Sequence, residues 1–107
     1  MGYPGEFELL VLLSVMRLRN GAYGVTIREE VERETSRILT LGAVYKTLGR
    51  LEGKGYLDAS VAPPTRTRGG RRKKLYTLTP TGLETTRRSL ADLQGMTEGL
   101  AAELKLS

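Results

Sequence analysis

Apolar and polar positions follow helical periodicity over the first half of the chain. Between Glu6 and Arg19, nine apolar side chains cover nearly the whole circumference of a helix, at about 100° per residue. Such a helix needs cover on two sides, which favours contact with a second subunit. After the turn signal Asn20-Gly21, apolar residues recur every four positions from Tyr23 to Val31. This spacing predicts an amphipathic second helix of about three turns.

The third predicted helix has two different faces. Thr40 is placed to cap it, and an apolar stripe leads from Leu41 to Leu51, ahead of the stop signal Gly53-Lys54-Gly55. The opposite face combines small and basic side chains, namely Gly42, Ala43, Lys46, Gly49 and Arg50. Each glycine costs about 1 kcal/mol of helix propensity relative to Ala, so these glycines indicate a face that another molecule approaches closely. The plainer interpretation is a surface helix kept soluble by ordinary Lys and Arg residues.

Alternation with a period of two replaces the helical pattern after Gly55. Residues 56–61 and 74–78 alternate apolar and polar positions and predict the two strands of a β-hairpin. Thr79-Pro80 then begins a final helix, with a hydroxyl at the cap and Pro at the first helical position. We expect this helix to run from Pro80 to Leu106. Its leucines fall on heptad seams, which suit either folding back on its own domain or pairing with another chain. We favour pairing, because the first helix already needs a partner.

The predicted order, three helices, two strands and a final helix, is that of a winged helix-turn-helix. The fold class is therefore mainly α with a small β-hairpin (α+β). We expect residues 1–79 to form the winged helix-turn-helix DNA-binding domain and residues 80–107 to form a C-terminal dimerisation helix. In this fold the third helix enters the major groove while the hairpin lies along the phosphates.

The positive charge of the chain is concentrated in one segment. The net charge is +5, and six basic residues without an acidic neighbour fall between positions 66 and 74: Arg66, Arg68, Arg71, Arg72, Lys73 and Lys74. Without them the chain has 11 basic and 12 acidic side chains. Pro63-Pro64 and Gly69-Gly70 place these cations in the hairpin loop. A basic loop on a near-neutral body predicts a polyanionic partner, although a loop kept basic for solubility has the same pattern.

Composition argues against catalysis. The chain has no His and no Cys, so the commonest general base, the commonest metal ligand and the thiol nucleophile are missing. We therefore expect no enzyme activity, no cofactor and no metal. The lack of disulfides favours the cytoplasm, and the longest apolar run, Leu9 to Leu13, is far short of the ~20 residues of a membrane helix.

Four blocks of sequence carry a family resemblance. Residues 5–12 (GEFELLVL), 22–27 (AYGVTI), 39–57 (LTLGAVYKTLGRLEGKGYL) and 69–82 (GGRRKKLYTLTPTG) together resemble the PadR family of transcriptional regulators. The match runs in order from residue 5 to about residue 90. It implies a homodimeric winged-helix repressor of the short branch of the family. Family members often respond to small molecules, and the resemblance leaves open whether this chain has such an effector.

The resemblance and side-chain chemistry together assign candidate residues. By the family pattern, the DNA-facing surface consists of Tyr23, the third helix and the hairpin with its basic loop, which is called the wing in this fold. Lys46, Thr47 and Arg50 are the candidates for contacts with base edges, since Lys and Arg suit guanine acceptors and a Thr methyl suits thymine. The expected DNA-binding set is Tyr23, Thr40, Gly42, Tyr45, Lys46, Thr47, Arg50, Arg66, Arg68, Arg71, Arg72 and Lys73. The expected dimer interface is Phe7, Leu10, Leu83, Leu90, Leu93, Leu100 and Leu104.

Two functions remain open at this point. The first is a sequence-specific, dimeric repressor that binds a pseudo-palindrome in double-stranded DNA. The second is a winged-helix module for protein interaction, whose basic hairpin docks on an acidic partner. The small and basic face of the third helix favours the first, because the second does not explain it.

Overall fold

The computed structural model describes residues 3–61 and 73–106. Its first part contains three α-helices: α1 (Glu6–Leu18), α2 (Gly24–Glu34) and α3 (Leu41–Gly53), with one 3-10 turn at Arg19–Gly21. Local capping explains two of these helix starts. The Tyr23 N–H donates to Thr26 Oγ1 (3.0 Å) at the start of α2, and the Ala43 N–H donates to Thr40 Oγ1 (3.1 Å) at the start of α3.

The second part contains the hairpin and the C-terminal helices. Strands β1 (Leu57–Val61) and β2 (Lys74–Leu78) pair antiparallel, with Leu57 opposite Leu78. Helix α4 (Pro80–Thr97) follows at once, and a single-turn helix α5 (Ala101–Leu104) comes last. The element order confirms the predicted winged helix-turn-helix, mainly α with a two-stranded hairpin.

One core joins α1, α2, α3 and the hairpin. The Tyr76 N–H of β2 donates to the Ala22 carbonyl just before α2 (2.8 Å), which ties the hairpin to the helical part. Tyr56 and Tyr76 are buried here, as expected for residues of the core and sheet face. The core consists of Val11, Leu12, Val15, Ala22, Ile27, Val44, Leu48, Leu51, Tyr56, Leu57 and Tyr76.

The prediction of one continuous helix from Pro80 to Leu106 is wrong. Helix α4 ends at Thr97, and Gly99 has a φ of +83°, a conformation that a right-handed helix does not contain. Gly95 and Gly99 also lower the helix propensity of this segment. Leu100 and Leu104 therefore lie beyond the end of α4, and the heptad spacing does not extend to them.

Helix α4 packs against the rest of the chain through small residues. Gly82, Thr86 and Ser89 are its buried residues. A Cβ on Gly82 would lie 2.1 Å from the Tyr56 carbonyl oxygen, so only glycine permits this approach. The leucines of α4 remain partly exposed, and Leu83 and Leu93 border open apolar grooves beside α1.

A buried carboxylate links α1 and α2. Glu30 is only 4% exposed, and it accepts hydrogen bonds from Arg17 of α1 (2.5 Å) and from Arg33. The sequence pattern had placed Glu30 among the solvated charges of the second helix. Its two arginine partners explain how the carboxylate is tolerated inside the fold.

Candidate nucleic-acid interface

Helix α3 presents an open, sparsely occupied face to solvent. Val44, Leu48 and Leu51 turn inward, while Gly42, Ala43, Lys46, Gly49 and Arg50 are exposed. Apart from adjacent residues and the backbone of α3 itself, no atom of the described residues lies within 4 Å of the position a Cβ would take at Gly42 or at Gly49. The backbone of α3 is therefore accessible on this face, and Lys46 stands between two positions that lack a side chain.

Thr47 does not belong to this face. Its side chain is only 2% exposed, because position 47 lies three residues after Val44 and four before Leu51, on the inward stripe of α3. A buried methyl or hydroxyl group cannot contact a base edge. The expectation that Thr47 contacts DNA bases is therefore wrong, and Lys46 and Arg50 remain from that group.

Tyr45 connects α3 to the start of α2. A Cβ on Gly24 would lie 2.4 Å from the Tyr45 ring, so the ring occupies the space that a side chain on Gly24 would need. The side chain of Tyr45 remains 49% exposed.

Tyr23 lies next to Gly24 and contacts the base of the wing. The Lys73 Nζ lies 4.4 Å from the centroid of the Tyr23 ring and donates to the Tyr23 hydroxyl at 3.3 Å. The ammonium is thus within the range of a cation–π contact and is displaced toward the hydroxyl end of the ring, since Nζ is closer to the oxygen than to the centroid.

The neighbouring lysines 73 and 74 have different partners. The Lys74 Nζ lies 3.2 Å from a carboxylate oxygen of Glu52, and this hydrogen bond raises the pKa of Lys74. Lys73 has no carboxylate within 4 Å in the described part of the chain. The two lysines therefore have different partners within the described residues.

Ion pairing separates the described cations into two groups. The arginines of α4 and several cations of α1, α2 and the loops pair with carboxylates. Within residues 3–61 and 73–106, the cations that lack a carboxylate within 4 Å are Arg19, Arg28, Lys46, Arg50, Lys73 and Lys105. Lys46, Arg50 and Lys73 are three of the predicted DNA-binding residues.

Arg28 was not singled out by its sequence. It lies one helical turn after Gly24 in α2, and its Nε is buried without a hydrogen-bond partner among the described residues. It lies in a charged stretch of α2, and nothing in that pattern distinguishes it from the other charged residues.

The remaining predicted cations of the wing, Arg66, Arg68, Arg71 and Arg72, lie outside the described residues. Thr40 is exposed at the start of α3, where its hydroxyl already serves as the helix cap.

The residues predicted for the dimer interface are accessible to different degrees. Phe7 and Leu10 of α1 are half-buried. The α4 leucines 83, 90 and 93 are 47%, 38% and 56% exposed, and Met96 beside them is 77% exposed. An open apolar groove runs from α1 to the start of α4 and is lined in part by Leu13, Met16, Pro80 and Leu83. Leu100 and Leu104 are also exposed, beyond the end of α4.

These features together define a winged-helix protein of the DNA-binding class: a capped third helix with an open face, a hairpin whose loop is basic in sequence, and a separate C-terminal helix. The sequence profile of the Transcriptional regulator PadR-like family matches residues 12–88, and the chain belongs to this family. It is a DNA-binding transcription regulator, and the members of this family are regulators rather than enzymes.

Solved structures agree with this fold. A PadR family regulator from Clostridium difficile R20291 is 26% identical, with a TM-score of 0.74 over 94% of this chain and 99% of that chain. A PadR family regulator from Eggerthella lenta is 24% identical, with a TM-score of 0.67 over 95% of this chain and 88% of that chain. The PcaV regulator from Streptomyces coelicolor, solved with its natural ligand, is 24% identical, with a TM-score of 0.71 over 94% of this chain and 62% of that chain.

No curated protein sequence matches the chain. Across residues 3–61 and 73–106, no helix combines the length and the apolar character needed to cross a membrane.

Proposed function

We propose that the protein is a homodimeric repressor in the cytoplasm that binds a pseudo-palindromic operator in double-stranded DNA. The observation that carries the proposal is the surface around α3, where Lys46 and Arg50 project beside open glycines and have no carboxylate within 4 Å among the described residues. An unpaired cation retains its full charge for a phosphate or a guanine, whereas a paired one must first give up its carboxylate.

In this proposal α3 enters the major groove. Lys46 at the centre of the open face contacts guanine acceptors, and Arg50, one turn later, contacts a base or the backbone. Gly42 and Gly49 let the helix backbone approach the groove closely, and Thr40 places the start of the helix. Tyr45, which is half exposed beside this face, contacts a phosphate.

The wing supplies the second contact with DNA. We assign Arg66, Arg68, Arg71, Arg72 and Lys73 to phosphates or to the minor groove. These contacts strengthen binding to every sequence, while α3 distinguishes one sequence from another.

The exposed leucines of α4 support the dimer. A helix that buries Gly82, Thr86 and Ser89 leaves Leu83, Leu90 and Leu93 partly exposed, with Leu83 beside an open apolar groove against α1. Exposed apolar stripes of this kind are covered in stable proteins by another surface, and a two-fold pair of α4 helices covers both copies at once. Phe7 and Leu10 of α1 extend the same interface.

Regulation by a small molecule fits this arrangement. PcaV, a regulator of similar fold, was solved with its natural ligand. In a dimer, an effector that changed the distance between the two α3 helices would mismatch them to successive major grooves and release the operator.

Binding to genomic fragments tests the proposal. Gel shifts at moderate salt should show a fragment bound at least about a thousandfold more tightly than random duplex of equal length, the usual lower range for specific binding. Equal binding to both would exclude a specific regulator. A pull-down of an acidic protein that survives nuclease treatment would favour the protein-interaction module instead.

A further inference from the structure

The start of α2 holds Tyr23 in a fixed place. The Tyr23 N–H donates to Thr26 Oγ1 at 3.0 Å, and Thr26 Oγ1 donates in turn to the Gly21 carbonyl at 2.6 Å. The Tyr23 carbonyl accepts from the Ile27 N–H at 2.8 Å. The carbonyl of the preceding residue, Ala22, accepts a hydrogen bond from the Tyr76 N–H of β2. The ring therefore projects from backbone that is hydrogen-bonded on both sides.

Lys73 is an exposed cation that this ring localises. It lies one residue before β2 begins, with its Nζ 4.4 Å from the ring centroid and 3.3 Å from the hydroxyl oxygen. A lysine side chain is flexible and its ammonium strongly hydrated, so without the ring the charge would be spread over many positions. Lys74, by contrast, pairs with Glu52 and is unavailable to another anion.

The adjoining residue fixes α3 at the same point. Gly24 follows Tyr23 directly and accommodates the Tyr45 ring of α3. The dipeptide Tyr23-Gly24 thus contacts the base of the wing with one residue and the third helix with the next. The position of the Lys73 ammonium is consequently set relative to α3.

We propose that Tyr23 is a positioning residue, whose ring holds the Lys73 ammonium against α2 so that it neutralises a DNA phosphate beside the groove that α3 enters. The inference rests on the proposed function, and it assigns the phosphate contact to Lys73 Nζ. The Tyr23 hydroxyl is a secondary partner of the lysine. The ring is the part of Tyr23 that binding requires.

Four variants test this assignment: Tyr23→Phe, Tyr23→Leu, Lys73→Met and the double variant Tyr23→Leu/Lys73→Met. The probe is a duplex enriched from a random library by the wild-type protein, with unselected random duplex as the reference. Dissociation constants are measured by fluorescence anisotropy over a range of KCl concentrations. Lys105→Met, which removes an unpaired lysine from the C-terminal segment, is the matched control for loss of charge.

The proposal predicts that Tyr23→Phe binds within about twofold of the wild type, because the ring remains. Tyr23→Leu should weaken binding about two- to fivefold on both duplexes, as expected for an exposed cation–π contact. Lys73→Met should weaken both and lower the salt slope by about one, whereas Lys105→Met should leave the slope unchanged. The double variant should match Lys73→Met within about twofold, because both substitutions remove the same interaction.

Three results would overturn the proposal: a loss in Tyr23→Phe equal to that in Tyr23→Leu, losses that multiply in the double variant, or no loss in Tyr23→Leu. If Tyr23→Leu does not fold, Tyr23→Phe and Lys73→Met still test the proposal. It requires that Tyr23→Phe binds DNA like the wild type and that Lys73→Met binds more weakly.

A measurement without DNA separates this inference from the proposed function. In the NMR spectrum the Lys73 side-chain methylene protons should be shifted upfield by the Tyr23 ring, in the wild type and in Tyr23→Phe. A wild type that binds no duplex would contradict the proposed function. Lys73 protons without that shift would contradict the positioning role alone.

Discussion

Gly42 and Gly49 lie on the same face of α3, where they lower the stability of the helix and, in the proposed function, let it approach DNA closely. Neither position has a neighbour within 4 Å of a would-be Cβ, so Ala fits both in the free protein. Gly42→Ala and Gly49→Ala should each raise the free energy of unfolding by about 0.5–1 kcal/mol, since Ala is the better helix former. Each should also weaken binding to the selected duplex by about an order of magnitude, comparable with the loss of one base contact, because the methyl group keeps α3 from the groove.

Urea unfolding and anisotropy measure these two effects on the same samples. Gly95→Ala is the matched control, since Gly95 lies within α4 with equally open surroundings. It should stabilise the fold and leave DNA binding unchanged. Tighter binding by Gly42→Ala would contradict the close approach of α3.

Lys46 and Thr47 are neighbours in sequence with opposite environments. Lys46→Ala should change which sequence is enriched from a random library, because the side chain projects from the open face. Thr47→Ala should leave the enriched sequence unchanged and lower the free energy of unfolding by about 1 kcal/mol, because it empties buried space. Selection by both variants and thermal unfolding check the pair, and a new preference in Thr47→Ala would contradict its burial.

At the residue scale, the sequence predicts whether a side chain is exposed better than it predicts which side chains it pairs with. Lys46 and Arg50 were assigned correctly to the solvent face of α3 by periodicity. Thr47 was misassigned because its polar type was given more weight than its place on the inward stripe. Glu30 is buried because it pairs with Arg17 of another helix, whereas Arg28 Nε has no hydrogen-bond partner among the described residues. The spacing of residues along one helix predicts neither result.

At the scale of elements, an ion pair fastens the start of α1 to the end of α3. Glu8 accepts from the Gly5 N–H (2.9 Å), and the Lys54 Nζ lies 3.2 Å from its other oxygen. Partial burial tends to raise the pKa of Glu8, but the hydrogen bonds from Gly5 and Lys54, together with the charges of Lys54 and Arg50, lower it below its ordinary value of 4.5.

A lowered pKa makes this contact sensitive to acid. The stabilisation is present above the unfolded pKa and is lost as the pH falls through the folded pKa, because the folded state then loses its advantage in holding the charged form. Urea unfolding from pH 7 to pH 3 should show the free energy of unfolding falling below about pH 4.5. Glu8→Gln should be less stable at neutral pH and show a smaller fall, and an unchanged fall in this variant would assign the acid sensitivity to other carboxylates.

Element boundaries were predictable where a capping residue marks them. Thr40 and Thr79 cap α3 and α4 at the expected positions, and Pro80 occupies the first turn of α4. The C-terminal break was missed because leucines continue at regular spacing past Gly99. Heptad periodicity reports which side chains are apolar, while the positive φ of Gly99 ends the helix.

At the scale of the whole molecule, the exposed leucines of α4 predict a dimer that a single charge can break. Leu93→Glu should raise the dimer dissociation constant at least about a hundredfold, because a carboxylate would be buried without a partner at an apolar interface. Ala91→Glu, at an exposed position on another side of α4, is the matched control and should remain dimeric. Circular dichroism should show both variants folded, and an equally dimeric Leu93→Glu would place the interface elsewhere.

The position of the positive charge along the chain also matters at the scale of the whole molecule. The excess of +5 arises from positions 66–74, on a body that is close to neutral. Two-fold pairing would present two such segments, one for each half-site, about 34 Å or one turn of DNA apart. The lack of His and Cys removes imidazole protonation and thiol oxidation as direct triggers of any switch.

Size-exclusion chromatography with light scattering, on the protein alone and on its complex with the selected duplex, tests the central claim most directly. The account predicts twice the mass of the chain in free solution and two chains on each duplex, with protection of two inverted half-sites. A stable monomer that binds the same duplex with equal affinity, one chain to one site, would contradict it.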